Sequence, residues 1–408
     1  FYGKNKALAV YKTALTDANL RSLTYPSAVA TTFDLNFNTI ADDFTFTRGS
    51  QATFVNAQGL IQSTASNDAP RLDYSTGAKA FLLEPQSTNL VTQSELFSDA
   101  YWTKSSSSVV SGFTSPSGEA NAFKLVEDTS TAGHSVFRNS STVTLSSHSF
   151  SCFVKTNGRN VKLDFFGGTN NAIFDLTNGT VISANGTGLT AKIELFSGNW
   201  YRCSVTQVQT STTIYPNILT VDNFNNSTYQ GDGTSGVYIY GAMLEQQSYP
   251  TSYIPTSGAI STRNQELCNN ATPVINSEEG TLYAEIEALT STQAATIMIS
   301  ISNGSTNAIK FGYQQGANVF FVESTGTANG IGIYSEPINP LTYSKVALSY
   351  KENDVKLYIN GVLEAIDTSF TAFAPDILNT LNFDSGTGAS KFFGNTKGLK
   401  YYPKALAD

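Results

Sequence analysis

Two glutamates one residue apart, Glu285 and Glu287, are the groups in this sequence whose type and spacing best suit a reaction. On an extended strand residues i and i+2 project from one face, and a carboxyl pair so displayed is what two-carboxylate glycoside hydrolysis requires. Leu282, Ala284 and Ile286 alternate with them as an apolar phase, which leaves Tyr283, Glu285 and Glu287 on the solvated phase. No Asp completes an enzyme-like pattern. The two histidines, His134 and His148, lie near no Ser/Asp or metal-ligand arrangement. His148 alternates with Phe150 and Cys152 and reads as an end-of-strand residue. The glycine-rich GDGTSG at 231–236 precedes a strand rather than a helix and carries no Lys. It reads as a hairpin loop, not a phosphate cradle. A protein without a reaction centre is the expectation.

Binding is a different matter. Sugar recognition asks for aromatic faces with amide and carboxylate partners for hydroxyls. The aromatic pool is Trp102, Tyr238, Tyr240, Tyr249 and Tyr253, with Trp200 beside it; Trp200 opens a strand and Trp102 follows the entry segment, and both read as core anchors. Tyr238 and Tyr240 share one phase of their strand, opposite Val237 and Ile239. Whichever pair faces outward could form a stacking platform.

The elements that must hold these residues are strands. Charged residues make up 14% of the 408-residue chain, against roughly a quarter in typical globular proteins, and Ser, Thr, Asn and Gly take their place. Aromatics at 12% argue against disorder, and abundant β-branched residues argue for an all-β chain. A net charge of −8, with nothing basic clustered, excludes a nucleic-acid partner. No apolar run approaches the ~20 residues needed to span a bilayer, so membrane insertion is not expected. Cys152 and Cys203 sit on the apolar phase of their strands and read, with Cys268, as buried free thiols. A Cys152–Cys203 disulfide is the alternative.

Residues 1–17 (FYGKNKALAVYKTALTD) and 392–408 (FFGNTKGLKYYPKALAD) repeat one another at an offset of 391 residues. The first copy therefore reads as the tail of a preceding domain, spanning 1–26 and containing a strand and a short helix. Residues 27–88 are polar and weakly periodic, an extended connector that buries too little to fold alone. Residues 89–263 carry eight or so strands between Gly/Asn/Ser turns, suited to a double-sheet jelly roll. Residues 264–408 form a second sandwich, with its clearest hairpin in SKVALSYKENDVKLYINGVLEAID. There Val346, Leu348 and Tyr350 should face Val355, Leu357 and Ile359 across the strand pair.

Two resemblances follow. YSKVALSYKENDVKLYING and LKYYPKALAD resemble the hairpin and closing strand of the concanavalin A-like/laminin-G-like sandwiches, which implies that 1–26 ends a similar domain upstream. TRGSQATFVNAQGLI, APRLDY, LLEPQSTNL and TSYIPTSGAISTR resemble phrases that bracket a carbohydrate-binding-module-like jelly roll in tailed-phage virion proteins. This second likeness covers 44–263. Together they imply tandem antiparallel β-sandwiches in a non-enzymatic virion fibre or appendage subunit, extracellular on the virion surface. The implied partners are a host cell-surface glycan, further copies of the chain in a homo-oligomer and other virion proteins. A bacterial secreted adhesin with the same modules, a ligand-free spacer and a polysaccharide-cleaving enzyme are the alternatives. No cofactor is required by this reading. Related sandwiches often hold a structural Ca²⁺, and Glu127, Asp128 and Asp232 are the acidic loop residues that would hold it here.

Overall fold

The computed structural model describes residues 31–33 (backbone only), 43–165, 169–291 and 295–406. The repeated tail at 1–26, with its expected strand and helix, lies outside the described residues. The described chain is built from strands packed as antiparallel sheets, so the all-β expectation holds.

In the C-terminal sandwich the alternating hairpin forms in the expected register. Val346 pairs with Ile359, Leu348 with Leu357 and Tyr350 with Val355, and all six are buried. Asn360 and Gly361 turn the chain into the next strand with φ of 52° and 84°, the positive pair that a tight hairpin turn demands and that Asn-Gly supplies with least strain. One sheet runs Val362–Asp367, Asp354–Ile359, Ser344–Lys351, Gly280–Ala288, Gly394–Tyr402. It then continues into two strands from the connector, Ala80–Leu83 and Leu72–Asp73, and Thr31–Phe33 also pairs with Gly394–Tyr402. The facing sheet contains five strands, from Gly332–Tyr334 through to Thr380–Asn382.

The connector does more than bridge. Its Phe44, Phe46, Phe81 and Leu83 are buried in the same core as Leu282, Ile299, Leu348 and Tyr401. Phe81 meets Phe383 edge-on at 5.9 Å, so segment 43–83 completes the C-terminal sandwich.

The jelly roll has two six-stranded sheets. The front sheet runs Thr190–Phe196, Trp200–Val208, Ser147–Asn157, Gly236–Glu245, Ala122–Glu127, Ser107–Phe113. The back sheet runs Thr180–Asn185, Asn171–Asp175, Asn160–Asp164, Asn217–Val221, Ser135–Arg138, Trp102–Ser105. Val154, Val161, Ile218, Val237 and Ile239 fill the space between them. Cys152 and Cys203 are register partners on neighbouring strands there, and all three cysteines are free and buried. Burial pushes the Cys152 thiol up to about 12, consistent with an inert core thiol. Outside the front sheet a smaller apolar cluster forms. Phe153, Trp200, Tyr240 and Met243 from the sheet meet Ile61 of the hairpin Thr53–Val55/Ile61–Ser63, together with Tyr253 and Ile254 of the exit segment.

A buried ionic knot joins all three parts. Arg71 donates Nε to Glu266 Oε1 at 2.8 Å and Nη2 to Glu266 Oε2, and it lies 2.8 Å from Glu84. Arg48 reaches Glu266 at 2.8 Å, and Arg263 binds Glu84. Three guanidinium groups around two carboxylates leave each charge with opposite-sign neighbours, which burial requires. Burial opposes ionisation of Glu84, but Arg263 and Arg71 outweigh it and hold the carboxyl down at about 2.

Candidate interdomain cleft

Between the jelly roll and the C-terminal sandwich lies a cleft of about 290 Å³. Its jelly-roll wall comes from the outer face of the front sheet's edge. Glu194 is the register partner of Arg202, and Lys192 stands one pleat away on the same face. Lys192 pairs with Glu194 at 2.8 Å. The opposite wall carries Glu287, whose cross-strand partner is Asn395, and the exposed Leu341. Phe54, Asp73, Ser75 and Thr76 enter from the connector, and Tyr249 from the exit segment.

Two polar atoms on this cleft are buried without a hydrogen-bond partner. They are the donor Arg202 Nε and the acceptor Glu287 Oε2. Arg202 spends its other nitrogens on Thr251 O at 2.6 Å and Ser151 Oγ at 3.0 Å. Burial raises the Glu287 carboxyl above the ordinary range, although Lys397 and Lys192 pull it down and Tyr343 and Asn395 hydrogen-bond it. The Tyr343 ring carries Lys397 Nζ 3.4 Å above its centroid, and its hydroxyl meets Thr76 Oγ1 at 3.2 Å. Asp73 accepts from Val55 N at 2.7 Å, from Ser75 N at 2.8 Å and from the Ser75 hydroxyl. Burial raises its carboxyl as well. Unfilled donors and acceptors, a tyrosine and a half-buried aromatic wall are what a hydroxylated ligand needs.

The residues expected to stack on sugar fare unevenly. Trp102, Tyr240 and Tyr253 are 1%, 4% and 3% exposed and offer no face to a ligand. Trp102 packs on Phe97 at 5.1 Å and donates its indole N–H to Gln93 O. Tyr240 and Tyr253 both donate to Glu95 Oε1, at 2.9 and 3.0 Å. Tyr238 does share the outward phase with Tyr240, opposite buried Val237 and Ile239, but Phe113 covers it at 4.8 Å. The expected platform is thus the floor of a satellite core, because the 53–63 hairpin and the exit segment lie over it. Of the five, Tyr249 and Tyr253 line the cleft, and only Tyr249 is more than marginally exposed there.

The acidic loop residues do not fit Ca²⁺. Glu127 accepts from Arg159 Nε at 2.8 Å and Nη2 at 2.6 Å, from the Tyr229 hydroxyl at 2.7 Å and from Asp232 N at 2.8 Å. Asp232 caps its own turn through Thr234 and Ser235 and also faces Arg159 at 3.4 Å. Asp128 is turned to Ser130, with His134 at 3.5 Å. An arginine already occupies the cation's place. No group of three or more potential metal ligands of the His/Cys/Asp/Glu type occurs among the described residues.

Of the carboxyl pair on Gly280–Ala288, only Glu287 reaches the cleft; Glu285 stands opposite Lys345 in the register. Sequence reasoning missed Lys192, Glu194 and Arg202. The alternation of Thr190–Phe196 does put Lys192 and Glu194 on one face, but nothing local tells that Glu287 faces them.

No curated protein matches the chain. Among solved structures, domains LG4-5 of the mouse laminin alpha1 chain match at 10% identity, covering 79% of this chain and 93% of that one. The TM-score is 0.26, too low to carry an argument. The family model described as the concanavalin A-like lectin/glucanases superfamily matches residues 255–408. That stretch, less than half of the chain, is similar to the concanavalin A-like/laminin G-like domains.

Proposed function

We propose that this chain is a non-enzymatic glycan-binding module and that the interdomain cleft is its sugar site. The observation that carries the reading is the pair of orphaned atoms, Arg202 Nε and Glu287 Oε2, on one cleft and from two domains. A buried unpaired donor or acceptor costs roughly 1–3 kcal/mol. Sugar hydroxyls, which both donate and accept, can supply the partner that each atom lacks. The amide- and hydroxyl-rich surface suits such contacts without ionic stickiness. The finer reading is an extracellular adhesin of a virion fibre or appendage, carried by the resemblance of 44–263. In a homo-oligomeric fibre, weak sites would be multiplied through effective concentration.

The test is a glycan array probed with the full chain and with Leu341→Trp, which places a large side chain at an exposed position on the cleft. Binding by the wild type and its loss in the variant are expected. No binding across diverse polysaccharides would favour a spacer. Glycoside cleavage is the second reading, because Glu287 with its raised carboxyl shares the cleft with Glu194. Release of reducing ends that stops in Glu287→Gln would establish it.

A further inference from the structure

We propose that a second cavity, adjoining the cleft, is a separate subsite for an uncharged polyhydroxy ligand such as a neutral sugar residue. The cavity is about 400 Å³, within the roughly 300–1,000 Å³ of small-ligand sites. Thr53 and Tyr253 line both spaces, and Thr53 Oγ1 donates to Tyr253 O at 2.5 Å, so the dividing wall is tied shut.

Beside apolar Ala52, Ile254 and Pro255, the polar lining is hydroxyl and amide: Ser50, Gln51, Ser63, Asn67, Ser261 and Thr262. Hydroxyls donate and accept, and amides do both from separate atoms, so this lining can answer hydroxyls of either polarity. The one charged residue on the cavity is Arg263. Its Nη1 binds Glu84 Oε2 and Ser252 Oγ, the latter at 2.9 Å, and Nη2 binds Pro85 O at 2.5 Å. Glu84, Ser252 and Pro85 thus occupy both terminal nitrogens of the guanidinium, which leaves no bidentate fork for a carboxylate ligand. What remains is Nε, a buried N–H with no acceptor on a side chain 1% exposed. A neutral hydroxyl oxygen entering the cavity supplies the acceptor that this N–H lacks. The orphaned N–H and the hydroxyl and amide lining belong to this cavity and not to the cleft, so the subsite does not depend on a ligand in the cleft.

The experiment is saturation-transfer NMR on the full chain, with methyl β-glucoside, methyl β-galactoside and the corresponding glucuronide as probes. It is run in the Leu341→Trp background, so that the filled cleft contributes no signal. Transfer to at least one neutral glycoside is expected, with the glucuronide no better. Ser63→Trp fills the exposed rim, and Gln51→Ala removes an amide without adding bulk. Each should weaken binding at least fivefold, with the thermal midpoint checked to show that both remain folded. The proposal is overturned by absence of transfer to either neutral probe, by transfer that survives both variants, or by preference for the glucuronide. A soaked crystal with only an ordered water on Arg263 Nε would also sink it.

Discussion

Arg71 and Glu266 stand 195 residues apart in sequence and meet through two nearly parallel hydrogen bonds, Nε to Oε1 and Nη2 to Oε2. Both side chains are fully shielded from solvent. The contact joins the connector to the start of the C-terminal sandwich, and Arg48 shares the same carboxylate. Removing one partner leaves uncompensated buried charge, which typically costs 3–5 kcal/mol. Glu266→Gln should lose about that much stability in urea unfolding. A loss below about 1 kcal/mol would mean that the knot does not fasten the junction.

Glu84 gives the knot a pH signature. Its folded-state value is depressed to about 2 from the ordinary 4.5. Its contribution is therefore fully present above about pH 5 and is lost as pH falls towards 2. Asp73 and Glu245 are raised by burial and act in the opposite sense, so the clean measurement is a difference. The stability gap between wild type and Glu84→Gln should narrow steadily from pH 5 to pH 2. A gap constant across that window would contradict the assignment.

Glu287 predicts a trade between stability and binding. Its folded value is raised by burial, so ionisation at neutral pH disfavours the folded state and protonation favours it. Glu287→Gln should raise Tm by about 1–3 °C at pH 7, with the gain vanishing below about pH 4. Sugar binding at the cleft should weaken in the same variant at least tenfold. Unchanged affinity on the array would remove Glu287 from the site.

Arg159 tests the cation assignment. Arg159→Met strips Glu127 of its bidentate partner and should destabilise the jelly roll by about 3 kcal/mol. Millimolar Ca²⁺ should neither stabilise the wild type nor rescue the variant in a thermal melt. Rescue would mean that the loop acids are a metal site after all.

The sequence made some of this legible and hid the rest for identifiable reasons. The Ser344–Lys351/Asp354–Ile359 hairpin could be read because its apolar alternation and its Glu352-Asn353 and Asn360-Gly361 turns are local and point to one register. The phase of Tyr238 and Tyr240 was equally readable. Their burial was not, since the covering hairpin at 53–63 lies far earlier in the chain and shows no sign of its destination. Glu127 and Asp232 looked like metal ligands because acidic loop residues advertise charge, while Arg159, their actual partner, sits in another turn. The cleft was invisible for the same reason: Arg202 and Glu287 come to line one space only when two sandwiches are placed side by side.

Phe81 and Leu83 pack in a core whose last strand, Gly394–Tyr402, is also the strand to which Ala80–Leu83 is zipped. During synthesis this early segment must therefore wait for more than three hundred further residues to leave the ribosome before it finds its place. Throughout that interval its aromatic side chains are uncovered and vulnerable to self-association. The jelly roll, whose strands all lie inside the waiting span, can complete its own sheets first and act as a holding body until the chain closes behind it.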